Sequence, residues 1–209
     1  ALLISLAIAI PVGVLSATRR NSLIDQFARA GSLLGISMPD FWLGILLILL
    51  FAVQLRILPS GGYSDPGSGL WEHLRYLILP AFALASGMAA ITMRLVRSGM
   101  ISVLHQDYIR TARSKGLKPN AVIYHHALRN ALIPVITIVG IQVGRLLGGA
   151  VVIETMFSWP GVGSMVVRAI QQRDYVMVQG AVMFLALVFV LANLLVDLLY
   201  VVLDPRLRK

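Results

Sequence analysis

The sequence predicts an all-α protein that crosses a membrane several times, and three observations lead there. Of its 209 residues, 58% are apolar and only 13% charged, with a mean hydropathy of +0.84, far from the balance of a soluble domain. The apolar residues gather in segments close to the ~20 that a membrane-spanning helix needs. The 15 Arg and 3 Lys fall almost entirely between and beyond those segments. The net charge of +9 therefore reads as a topology signal rather than as a nucleic-acid-binding face. Cysteine is absent, which excludes disulfides and thiolate metal sites.

Five spans are expected, at about residues 1–17, 31–53, 76–96, 131–157 and 176–203. The first is short and opens directly in apolar sequence, with no initiating Met, no basic n-region and no small-residue cleavage site. It does not read as a signal peptide; the expectation is a single membrane domain over 1–209 that is N-terminally incomplete, with at least one more span upstream. In the second span Pro39 is placed to kink or start a helix, and Asp40 beside it requires water or a protein partner at that depth. The outward loop 58–75, LPSGGYSDPGSGLWEHLR, is rich in turn-forming residues. A polar, basic loop at 98–130 separates the third and fourth spans. The fourth carries Pro134 near its start, Arg145 within it, and Gly140, Gly144 and Gly148 at four-residue intervals, a flat strip suited to close helix contact and a candidate interface with another subunit. The second outward loop, 154–175, is expected to form a short interfacial helix after Pro160 and Gly161. Trp71, Trp159 and Tyr175 then lie near the outer interface, as an aromatic belt. The last span places Asn193 and Asp197 on one face, suited to a hydrogen-bonded helix contact.

Orientation follows from the basic residues. The loop with Arg19, Arg20 and Arg29, the loop from Arg94 to Arg129 and the tail with Arg206, Arg208 and Lys209 gather 13 of them on one side. Arg56, Arg75, Arg168 and Arg173 face the other way. The richer side is expected to be cytoplasmic, and the C-terminus with it.

Two places carry functional weight. Within the basic loop, Asp107 to Gly116 is suited to a short helix, with Tyr108, Thr111, Ala112 and Lys115 on one face. Gly116 stops it and Pro119 bars its return. Tyr108 and Ala112 offer an apolar ridge among Arg110, Arg113 and Lys115, which a partner groove can hold; the plainer reading is an ordinary positive-inside loop. Arg145 lies roughly 20 Å into its helix from Ala131 at about 1.5 Å per residue, too deep to reach the inner surface. It either lines a translocation path or forms a structural ion pair. His125 and His126 lack the clustered carboxylate or thiol that would complete a metal site. No Lys is followed by Ser or Thr in a Gly-rich loop, so the chain has no phosphate cradle for ATP.

The segments DYIRTARSKG (Asp107 to Gly116) and HHALRNALIPVIT (His125 to Thr137) resemble the coupling loop of permeases from ABC importers of dipeptides, oligopeptides and nickel. GISMPDFWLGILLILLF upstream, and LLGGAVVIETMFSWPGVG, RDYVMVQGAV and NLLVDLLYVVLDPRLR downstream, are similar to the same family in the same order. The wider coupling-loop pattern of ABC importers begins Glu-Ala-Ala; Arg110, Thr111, Ala112 and then Gly116 depart from it toward the peptide and nickel branch, leaving Asp107 as the nearby acid.

The resemblance implies a type I ABC importer transmembrane domain in the cytoplasmic membrane of a prokaryote, and a permease rather than an enzyme. It implies a second homologous permease, two cytoplasmic ABC ATPases and an extracytoplasmic solute-binding protein as partners. ATP and magnesium would sit on the ATPases and no cofactor on this chain. Asp107, Tyr108, Arg110, Thr111, Ala112, Arg113, Lys115 and Gly116 would contact an ATPase. A peptide is the expected solute, because the spans hold no cluster of His, Asp and Glu. A nickel permease and a secondary transporter working without an ATPase remain the alternatives.

Overall fold

The structure, a computed structural model, describes residues 1–65 and 67–203. Every element among them is helical. Helix α1 covers Leu2–Thr18 and α2 Leu23–Ser37; α3, Asp40–Leu47, continues through a π-helical stretch, Ile48–Gln54. Helix α4 runs unbroken over Leu70–Leu104, 35 residues or about 52 Å. The short α5, Asp107–Ser114, is followed by a π-helical stretch, Ala121–Ala127, that leads into α6, Leu128–Ala131. Then come α7 (Ile133–Met156), α8 (Val162–Gln171) and α9 (Tyr175–Leu203).

Helices α1 and α4 pack most closely. A Cβ placed on Gly13 of α1 would lie 2.8 Å from Val96 Cβ and 3.0 Å from the Met93 carbonyl of α4, so only glycine permits this approach. Around it a core of Val14, Ala17, Val96, Met100, Ile109, Ala112, Val122 and Ala127 joins α1 and α4 to the α5–α6 region. At the opposite end Leu47, Leu79, Ala83, Ile153 and Phe157 join α3, α4 and α7. The exposed apolar side chains of α9, among them Val176, Met183 and Leu195, fit a surface that meets lipid or another apolar face rather than water.

The segment expected as one span at 31–53 is divided. The chain turns by 106° between α2 and α3–Gln54. Pro39 disfavours helical geometry at the residue before it, and Met38 is extended at φ −91°, ψ 125°. A milder break of 51° separates the α6 region from α7, where Pro134 lies in the first turn of α7. The loop drawn from residue 98 begins later, because Met100 is fully buried in the inner core and keeps α4 helical to Leu104.

A polar knot ties the inner end. Asp25 of α2, wholly buried, accepts from Arg97 Nε (2.7 Å) and Nη2 (2.9 Å) of α4, from Ser16 Oγ (2.6 Å) of α1 and from the Asn21 N–H (3.0 Å). At mid-height, buried Gln142 of α7 donates to the Met88 carbonyl (3.2 Å) and to Thr92 Oγ1 (3.1 Å) of α4. At the outer end Glu154 accepts from the Ser164 N–H (2.9 Å), holding the start of α8 against α7. The Gly62 N–H donates to the Phe157 carbonyl (2.7 Å), and Tyr63 meets the Trp159 ring edge-on.

Candidate functional site

The bend before Pro39 opens a cavity of about 460 Å3 between α2, α3, α4 and α7. Its walls include Met38 and Asp40 at the bend, Gly87 and Met88 of α4, and Gln142 and Arg145 of α7. Asp40 Oδ1 lies 3.3 Å from where a Cβ on Gly87 would stand. Gly87 is the middle residue of α4, so the carboxylate sits halfway along that helix. Gln142, one turn before Arg145, is locked to Met88 and Thr92, which sets the height of that turn of α7. Arg145 therefore has a cavity before it and an acid on the facing wall. No N···O contact of 4 Å or less joins Arg145 to Asp40; the ion pairs among the described residues involve Asp25, Glu72 and Asp107.

Helix α5 projects from the inner end of the bundle. Gln106 is extended before it, and Gly116, at φ +76°, ends it in a backbone conformation that other residues rarely adopt. Ile109 is wholly buried and Ala112 nearly so, both within the inner core. This corrects the expected apolar ridge: Tyr108 is exposed, whereas Ala112 turns inward into the core. The outward face consists of Asp107, Tyr108, Arg110, Thr111, Arg113 and Ser114, with Lys115 and Gly116 beyond. Arg110 and Asp107 approach to 3.6 Å in full exposure, a pair worth little in water. Tyr108 accepts at its hydroxyl from Asn130 Nδ2 (2.8 Å), fastening α5 to α6.

The glycine strip has a partner within the chain. A Cβ on Gly140 would stand 2.9 Å from Val196 Cγ1, and one on Gly144 would stand 2.5 Å from the Phe189 ring, both on α9; nothing lies within 4 Å of Gly148. The second-subunit reading is thus displaced at Gly140 and Gly144 by the chain's own last helix. Asn193 is half-buried on α9; the side chain of Asp197 and the basic tail lie outside the described residues. His125 and His126 stack edge-on at 5.3 Å, and no group of three His, Asp or Glu gathers among the described residues.

Sequence reasoning missed the Ser16–Asp25–Arg97 knot, the Gln142–Thr92 tie and the capping role of Glu154. The first two join residues 72 and 50 positions apart, and no local pattern reports such a meeting. In the sequence Arg97 reads as one more positive-inside residue.

Comparison with known proteins agrees with this architecture. Residues 9–209 match the family described as binding-protein-dependent transport system inner membrane component. The chain is 45% identical over 231 residues to the dipeptide transport system permease protein DppB of Escherichia coli (strain K12), covering 100% of this chain and 68% of that protein. It is 44% identical over 208 residues to the oligopeptide transport system permease protein AppB of Bacillus subtilis (strain 168), covering 99% of the chain and 66% of that protein. Among solved structures, a chain of the inward-facing MetNI methionine ABC transporter superposes with a TM-score of 0.73 at 19% identity, over 97% of this chain and 89% of that one.

Proposed function

The chain belongs to the family of binding-protein-dependent transport system inner membrane components, and on that premise we propose that it is the permease subunit of an ATP-driven peptide importer. Its fold is that of a type I ABC importer transmembrane domain, in a multi-pass protein of the inner membrane. It is a permease and not an enzyme; ATP is hydrolysed by partner subunits. The solute is a di- or oligopeptide, the class named for the E. coli and B. subtilis relatives. A solute-binding protein delivers it from outside, and two ATPases, which bind ATP and magnesium, act from the cytoplasm on this chain and a second, homologous permease.

The observation that carries the coupling is α5. It is short, charged and exposed on one side, yet rooted through Ile109 in the core that joins α1 and α4. Asp107, Tyr108, Arg110, Thr111, Arg113, Lys115 and Gly116 form the ATPase-facing surface, and Ala112 supports it from beneath. The C-terminus lies on the same, cytoplasmic side. Arg145 lines the translocation path.

The test is purification of the full-length protein from its native membrane in mild detergent, with mass spectrometry of what accompanies it. The natural form brings a second permease and the ATPases. A variant carrying Arg110→Glu and Arg113→Glu, both outside the core, loses the ATPases by about ten-fold or more while keeping the second permease. Finding no ATPase with either form overturns the proposal.

A further inference from the structure

The cavity at the α2–α3 bend holds an acid and a base that make no direct ion pair. Asp40 and Arg145 line the same space of about 460 Å3, with no contact of 4 Å or less between them. Ionisable groups at membrane depth are costly and persist where they meet each other, water or a solute. The backbone that carries each is set by its surroundings: Asp40 follows the break at Pro39 and faces Gly87, and Arg145 stands one turn beyond Gln142, which is tied to α4. They stand in one cavity as side chains of opposite charge that make no direct contact.

A solute that satisfies both carries an ammonium at one end and a carboxylate at the other. A short peptide with free termini has that pattern whatever its side chains. The volume is within the ~300–1,000 Å3 usual for small-molecule sites. The remaining walls suit variable side chains: Leu84, Ile91 and Leu146 are apolar, and Met38 and Met88 are flexible, polarisable fillers that adapt to different shapes.

We propose that this cavity is a transient site for zwitterionic di- and tripeptides, with the α-ammonium against the Asp40 carboxylate and the α-carboxylate against the Arg145 guanidinium. The assignment rests on the peptide-import reading and adds to it a permease-level selection for free termini.

The test is uptake of radiolabelled dialanine and of dialanine amide by proteoliposomes carrying the whole transporter and its binding protein. Asp40→Asn and Arg145→Gln are each expected to lower dialanine uptake about ten-fold, with the ATPases still co-purifying, and Arg145→Lys, which keeps the charge, to lose less. The amide lacks the carboxylate, so Arg145→Gln barely affects it and the dialanine-to-amide ratio falls about three-fold or more. The same binding protein serves every form, so a changed ratio belongs to the permease. A ratio unchanged by Arg145→Gln, with uptake of dialanine and its amide lowered alike, shows that the two charges serve only each other and overturns the assignment. If the natural transporter hydrolyses ATP with its binding protein present yet moves no dialanine or other short peptide, the import reading itself fails, and this site with it.

Discussion

Asp25 is the residue on which the inner end of the bundle depends most. Its buried carboxylate holds Ser16 of α1 and Arg97 of α4, and removing one partner of such a pair strands a charge at a cost of about 3–5 kcal/mol. Arg97→Met is therefore expected to lower the thermal midpoint of the detergent-solubilised protein sharply. Adding Asp25→Asn to it costs much less than the two single effects together, because neither charge is then left alone. Strict additivity in that cycle refutes the coupling. None of this was legible in the sequence, where Asp25 and Arg97 stand 72 residues apart and each passes for an ordinary loop charge. Arg145 and Asp40 were legible one by one, through the cost of charge at depth. Their meeting in one cavity was not, since it depends on the 106° turn that brings the start of α3 against the middle of α4.

At the scale of the element, the positions of helix breakers could be read and the faces of short helices could not. Gly116 and Pro39 stop helices for reasons of backbone sterics that the sequence states directly. The orientation of α5 is different. Four-residue spacing pairs Tyr108 with Ala112, whereas three-residue spacing pairs Ile109 with Ala112; the larger apolar surface of Ile109 decides in favour of the second, and Ala112 goes inward. Close packing of α1 on α4 gives a sharper expectation. Gly13→Ala must push Val96 or the α4 backbone aside, and overpacking of this kind costs about 1–3 kcal/mol. Gly31→Ala on α2 meets nothing within 4 Å and gains helix propensity of up to about 1 kcal/mol. Thermal midpoints in detergent are expected to fall for the first and to hold or rise for the second.

Across the whole molecule, composition and charge pattern revealed the all-α membrane class, and collinear motifs revealed the family. Orientation is open to a direct measurement, because the chain contains no cysteine. Ser68→Cys, exposed in the loop before α4, is expected to react with a membrane-impermeant maleimide in intact cells. Ser114→Cys at the end of α5 is expected to react only after permeabilisation, and the reverse pattern overturns the orientation. The seating of α5 also gives force a preferred direction. Pressure on its outer face drives Ile109 and Ala112 further into the core they share with Val122 and Ala127, and compression needs no new bond. Tension must instead extract Ile109, whose burial is worth about 1.5–3 kcal/mol, and break the Tyr108–Asn130 hydrogen bond. If the proposed coupling holds, the junction withstands being pushed better than being pulled, and a motor acting through it would deliver its stroke toward the core more securely than away from it.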